Sequence, residues 1–399
     1  MAQASLPARI AAAVVLTLPA AAVIRKGSAM QDNGYVVRAA RAVLSGRSPY
    51  ADERFLYLPS SAVAALAEAW MDDHTIRLIL PFVLAALTLS AWGAALALCG
   101  VRLGSRLGLF GMVGIAWLFG YRSVLAVGNW SVIAVVALPV VLLLCARDRW
   151  RAAAVVAGVS IALKPMLVPL ALLFLFARQR RALVTFVAVP MVLVLLSLPL
   201  VAEPGRFLFD TLPFLLHGQD EYAKPYDASL ASILPRLGVG EEVTVAVRGT
   251  VAATGVMLAW ARWRLPSTPT VLDEPLRLVE TACMIMLTVF LVFTPAFGHY
   301  SLVILLPLAA TAADRRSVVR SPWFWIALAP QFPGVEVPGL TTSQTRAFTL
   351  FWMYVVLALL FAARTLDARR GDQDRPGAAF ERMVTAAVRR PRGLGGAGG

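Results

Sequence analysis

Three polar groups stand out in this sequence because each is set among long apolar runs. Asp32 follows the first apolar segment, in a stretch with few other carboxylates. A lone carboxylate at a membrane surface can deprotonate an acceptor hydroxyl for attack on an activated carbon. Asp is also a favoured cap for a helix beginning close behind it, and the residues alone leave both readings open. Lys164, in IALKPMLVPL, places an ammonium in the middle of an apolar run. Its partner is a phosphate anion, an acidic side chain elsewhere in the chain, or the interface reached by snorkelling. His299-Tyr300, in FGHYS, could donate hydrogen bonds to a phosphate or a sugar, or could simply end a helix.

Weaker candidates surround these. Asn129, in AVGNWS, opens an apolar run and reads as an N-cap. Tyr57, in Tyr57-Leu58-Pro59, marks a return of the chain into the membrane, where Tyr anchors at headgroup level. The stretch QDEYAKPYDAS mixes acids, Asp227 among them, with Tyr222 and Tyr226. Aromatic and acidic groups together suit carbohydrate hydroxyls, although a solvated loop has the same look. No P-loop, GxGxxG, HExxH or GxSxG stands at a convincing site, so ATP-driven transport has no motor here. Dense carboxylate–His clusters are missing from the sequence, and no metal or cofactor is called for. Cys99, Cys145 and Cys283 lie in apolar segments without metal or redox spacing and read as small hydrophobes.

The elements that must position these residues can be read from composition. Of 399 residues, 59% are hydrophobic and only 15% charged, against about 25% charged in soluble domains. Mean hydropathy is +0.72. The apolar runs match the length of about 17–25 residues that a helix needs to cross a bilayer, and they predict an all-α polytopic membrane protein of about ten to twelve transmembrane helices. The first run, 8–24, reads as a retained helix in preference to a signal peptide. Between 26 and 56, Val36, Val37, Ala40, Val43 and Leu44 recur at helical spacing with Arg38 and Arg41 opposite, which predicts an amphipathic interfacial helix. The segment 57–70 is short enough to be interfacial or re-entrant, and 152–177 reads as a hairpin broken at Lys164-Pro165.

The net charge of +14 comes from short clusters at the ends of apolar runs, such as Arg147/Arg149/Arg151, Arg262/Arg264 and Arg315/Arg316/Arg320. This is the positive-inside pattern of cytoplasmic loops and not the basic face of a nucleic-acid binder. It predicts both termini inside, with Asp32, Asn129, Lys164, the stretch 202–242 and His299 on the opposite face. Residues 1–366 then form one membrane domain. The polar, Arg- and Gly-rich residues from Asp367 onward read as a disordered cytoplasmic tail.

Taken in order, these motifs resemble glycosyltransferase family 87, membrane enzymes of the GT-C class that use polyprenyl-phosphate sugars. The shared elements are D-x6-A-A-x5-G-x3-Y (Asp32, Gly46, Tyr50), Y-x-P (Tyr57, Pro59), G-N-x-S (Gly128, Asn129, Ser131), K-P (Lys164, Pro165) and H-Y (His299, Tyr300). The nearest likeness is to the branch that builds actinobacterial cell-wall arabinan. The stretch LKPMLVPLALLFLFARQRRALV and DEYAKPYDASL carry it, and it covers most of residues 30–367.

The resemblance implies a GT-C-type bundle in the plasma membrane with an extracytoplasmic active face. It implies inverting transfer of arabinofuranose from decaprenyl-phosphoryl-β-D-arabinofuranose to an arabinan acceptor, forming an α-(1→3) branch. Asp32 would be the catalytic base. Lys164, His299 and Arg38 would hold the leaving phosphate, and Tyr57, Asn129, Tyr300, Tyr226 and Asp227 would line the donor and acceptor pocket. The sequence departs from the family pattern at Ser60, where a second proline is usual, at Asp227-Ala228, where an amide precedes the serine, and at His299, a tyrosine in the nearest branch. Two other readings remain: an α-mannosyltransferase using polyprenyl-phosphate-mannose, and a lipid or polyol transporter. The transporter reading lacks the internal repeat common in such folds.

Overall fold

The computed structural model describes residues 3–27, 30–217, 223–265 and 273–369, and among these residues it contains helices and no strand. Six helices are long and apolar enough to cross a bilayer: Leu6–Arg25, Asp73–Leu98, Arg180–Leu200, Glu241–Arg264, Asp273–Val292 and Thr342–Asp367. At about 1.5 Å rise per residue, helices of this length span the hydrocarbon core. The pair Arg106–Trp117 and Phe119–Val127, bent by 60° at Leu118, is apolar and long enough to make a seventh crossing if it forms one span. Ser131–Ala146, Trp150–Leu163, Pro165–Phe176 and Gly298–Ala313 are shorter apolar helices. The chain is therefore an all-α, multi-pass membrane protein. Six or seven helices meet the full length for a crossing, and the remaining apolar runs form these four shorter helices instead.

Burial sorts the helices into layers. Asp273–Val292 runs through the centre with 83% of its apolar window buried, whereas Arg180–Leu200 and Glu241–Arg264 are 11% buried. The latter two expose Val184, Met191, Leu196 and Met257 to the surroundings. Helices apolar on all sides belong in lipid, where outward Leu and Val incur no hydration cost.

Three elements hold the polar groups in place. Helix α1 (Leu6–Arg25) leads into α2 (Gln31–Leu44), the amphipathic helix that the spacing predicts. Val36, Ala39 and Ala40 of α2 pack on Tyr50, Phe55 and Tyr57 in a small core separate from the main one. The segment 57–70 forms two short helices, α3 (Pro59–Ala64) and α4 (Leu66–Ala69), with no re-entrant crossing. The hairpin 152–177 is broken at the expected place: Trp150–Leu163 stops at Lys164, and a 3₁₀ turn begins at Pro165.

At the other end of the bundle the Arg clusters are not simply solvated. Arg262 Nε donates to Glu280 Oε2 at 2.5 Å, and Arg364 Nε lies 3.7 Å from Glu280 Oε1. Arg316 pairs with Asp314 at 2.9 Å and also with Asp273. The last helix continues to Arg369 with Asp367 fully buried. Asp367 thus belongs to the bundle, and the expected tail lies outside the described residues.

Candidate functional site

Asp32 is the second residue of α2 and not its cap. The cap is Met30, in the left-handed region at φ 45°, and it makes no side-chain capping bond. The Asp32 carboxylate is therefore free to reach away from its own helix, and Oδ2 accepts a bond from Asn129 Nδ2 at 2.5 Å. The next residue repeats the pattern: Asn33 Oδ1 accepts from Trp130 Nε1 at 2.8 Å. Asn33 Nδ2 then donates to Glu68 Oε2 of α4 at 2.8 Å. Two adjacent residues at the start of α2 thus fasten two adjacent residues some hundred positions away. Gly128 makes the approach possible. Its φ is +67°, and a Cβ there would stand 2.9 Å from Asn33 Cβ, so only glycine fits.

Lys164 owes its place to the proline that follows it. The residue before proline is disfavoured in helical conformation, and Lys164 is extended at φ −154° and ψ 116°. Ending the helix here leaves carbonyls without partners. Ser60 Oγ donates to Ala162 O at 2.6 Å, and Ser61 Oγ to Leu163 O at 2.7 Å. Lys164 Nζ donates to Asn129 Oδ1 at 2.7 Å and stands 5.3 Å from the centroids of both Tyr57 and Tyr300. Its direct partners are an amide and two aromatic faces, where an acid was the simplest expectation.

Tyr300 brings His299 to the group. Their rings meet edge to face with centroids 4.7 Å apart. His299 is 6% exposed, and its Nε2 has no hydrogen-bond partner among the described residues. Asp227, 1% exposed, is already occupied. Its carboxylate accepts from Ser229 N, Ser229 Oγ, Thr294 Oγ1 and Ala296 N at 2.6–2.9 Å. That clamps its loop to the segment just before His299, with all four of these bonds made inside the protein. Tyr226 is 57% exposed on the outside of the same turn. Arg38 points away, pairing with Asp52 at 3.0 Å and lying over the Tyr35 ring at 4.7 Å.

The structure therefore gathers Asp32, Asn129, Lys164, Tyr57, Tyr300 and His299, and leaves Arg38 and Tyr226 out. Asn33, Trp130, Glu68, Ser60 and Ser61 join the site without having been singled out by the sequence. Their signal was slight: an Asn beside Asp32, a Trp after Asn129, and two serines at a helix start. Burial raises the Asp32 carboxyl above its ordinary value, opposed by the Asn129 bond and the Lys164 charge. Among the described residues, no three His, Cys, Asp or Glu side chains gather as metal ligands would. A half-buried base about one amide's length from a cation suits removal of a proton beside an anionic leaving group.

The family profile that matches this chain, over residues 55–295, is glycosyltransferase family 87. The chain belongs to this family. The matched residues include Tyr57, Asn129, Lys164 and Asp227, while Asp32, His299 and Tyr300 lie outside them. The chain is also similar to the α-(1→3)-arabinofuranosyltransferase of Mycobacterium tuberculosis, with 32% identity over 172 residues. The same-named protein of Mycolicibacterium smegmatis is 26% identical over 171 residues. Both alignments cover 43% of this chain and 38% of the relative's length. No solved structure matches.

Proposed function

We propose that this family 87 chain is an inverting glycosyltransferase that moves arabinofuranose from decaprenyl-phosphoryl-arabinofuranose to an arabinan acceptor, forming an α-(1→3) branch. The observation that carries this reading is the pairing of Asp32 and Lys164 at opposite ends of one buried amide. In the reaction, an acceptor hydroxyl oxygen attacks the anomeric carbon as the bond from that carbon to the phosphate oxygen breaks. The hydroxyl proton passes to Asp32, and the lipid phosphate leaves with the electron pair. Attack from the face opposite the phosphate turns a β-linked donor into an α-linked product.

Each group has a physical role. Burial keeps Asp32 a stronger base than an exposed carboxylate, which helps it take the proton in the transition state. Lys164 meets the charge that grows on the phosphate as the bond breaks, in surroundings where water does not screen it. His299 Nε2, buried and unpaired among the described residues, is positioned to donate to the same phosphate when protonated at that atom. Tyr57 and Tyr300 turn their ring faces to Lys164 and hold its ammonium between them. The site end of the bundle is read as extracytoplasmic in the plasma membrane, because the Arg clusters mark the opposite end as cytoplasmic.

Membranes containing the protein are mixed with the arabinofuranosyl lipid and a synthetic α-(1→5) arabinan, and the product linkage is read by mass spectrometry. Transfer forming α-(1→3) branches is the expected result. Transfer only from polyprenyl-phosphate-mannose would replace the donor sugar. No transfer from either lipid would overturn the enzymatic reading.

A further inference from the structure

We propose that Asn129 is the positioning residue of this site: its amide holds the Asp32 base and the Lys164 cation apart and aims both at the reacting centre. This rests on the roles given above to Asp32 and Lys164. The orientation of the amide is fixed by its partners. Its oxygen accepts from Ser131 N at 2.7 Å and from Lys164 Nζ at 2.7 Å. A backbone N–H only donates, so the atom facing Ser131 is the oxygen. The NH₂ group is left to Asp32 Oδ2 at 2.5 Å.

The helix Ser131–Ala146 is capped by Trp130 and not, as the sequence suggests, by Asn129, whose bond to Ser131 N makes the turn just ahead of it. That turn needs one bond, and the other two exceed what a structural asparagine requires. The side chain is buried, with Asn129 4% exposed; Gly128 lets the backbone before it close on Asn33, and Asn33 holds the side chain of Trp130 after it. Opposite charges brought together at a partly buried site attract more strongly than in water. Without a spacer, Asp32 and Lys164 would close into an ion pair, leaving a weaker base and a cation already neutralised. The amide satisfies one with a donor and the other with an acceptor, and it transfers no net charge between them.

Two substitutions separate positioning from the local turn. Asp and Ser both accept from a backbone N–H two residues on, so Asn129→Asp and Asn129→Ser keep the Ser131 bond while removing the bridge. In Asn129→Asp a carboxylate oxygen faces Asp32, and like charge raises a carboxyl pKa. The other groups facing Asp32 are Lys164 from the end of Trp150–Leu163, Tyr57 before α3, and Tyr300 with its neighbour His299. All are unchanged in this variant.

Protonated Asp32 is measured by carbodiimide labelling against pH in detergent-solubilised protein, with mass spectrometry of the labelled peptide. The labelling midpoint is expected to move up by about one pH unit or more in Asn129→Asp, with the thermal unfolding midpoint lowered at neutral pH and unchanged at acid pH, where both carboxyls are protonated. Turnover is expected to fall about tenfold or more in both variants, and Asn129→Gln, which keeps the amide, to retain more than Asn129→Ser. An unmoved labelling midpoint, or wild-type turnover in Asn129→Asp or Asn129→Ser, overturns the proposal. Labelling needs no sugar donor. A shifted midpoint in a protein that transfers no sugar therefore overturns the proposed function alone, and an unshifted one with transfer intact overturns the positioning role alone.

Discussion

The two ends of this helical bundle both bury charge, and they treat it in opposite ways. At one end Glu280, fully buried, is met by Arg262 and Arg364, and Arg316 is met by Asp314 and Asp273. Each charge there has an opposite charge as its neighbour. At the other end Asp32 and Lys164 meet only through the neutral amide of Asn129, and His299 Nε2 has no partner among the described residues. Closed ion pairs hold helices together and leave nothing over for a ligand. Charges kept open are costly to the fold and are available for chemistry. The contrast separates the functional end from the structural end more sharply than residue type does, because Asp and Arg occur at both.

The largest effect is expected from Asp32→Asn, which should lower transfer by about 10²- to 10⁴-fold. It should not weaken the fold. A carboxyl whose folded pKa is raised contributes stability below its unfolded pKa and loses it as pH rises through the folded value, so at neutral pH the ionised group is a liability. Thermal unfolding of Asp32→Asn at pH 7 should match or exceed wild type, and the gain should vanish toward acid pH. A lower melting point would place Asp32 with the structural end.

Glu280→Gln should do the reverse. It leaves Arg262 and Arg364 without their buried counter-charge, at a cost of about 3–5 kcal/mol, read by chemical or thermal unfolding. Turnover per folded molecule should hold. Loss of turnover in the folded fraction would couple the two ends and break the comparison.

Lys164→Met should lower turnover by about 10²-fold and raise the KM for the lipid donor, since charge stabilisation of the leaving group is lost. An effect confined to acceptor KM would remove the phosphate role. Replacing Ser60 and Ser61 together by alanine should cost about 1–3 kcal/mol, because it unties the carbonyls just before Lys164. Donor KM should rise several-fold with it, whereas an unchanged KM would make the serines purely structural. The smallest effect is expected from Arg38→Ala. Its pair with Asp52 is exposed and worth under about 1 kcal/mol, and kcat should stay at the wild-type value. A clear loss of transfer would return Arg38 to the phosphate site.

Much of the fold was legible in the sequence because lipid imposes a simple rule. Backbone groups in hydrocarbon must be paired within the segment, so an apolar run of sufficient length is a helix. α2 and the break at Lys164-Pro165 were legible for similar local reasons, one from periodicity and the other from the restriction that proline places on its neighbour. Arg38 shows the limit of that reading. The same periodicity that put it on the polar side of α2 could not say which polar partner it would find, and it found Asp52.

The sequence by itself therefore determined an all-helical membrane chain, the break at Lys164-Pro165 though not the one at Leu118, and the rarity of Asp32 and Lys164 in their surroundings. These depend on short-range chemistry, on run length, spacing and the neighbours along the chain. Only the tertiary structure decided that Asn129 joins Asp32, 97 positions away, to Lys164, 35 positions away. It also decided that Asp227 is locked into its own loop and that Arg262 and Arg316, out of the Arg clusters, are tied into ion pairs. Those outcomes depend on which helix ends meet, and that is set by packing over the whole bundle, which no local pattern records.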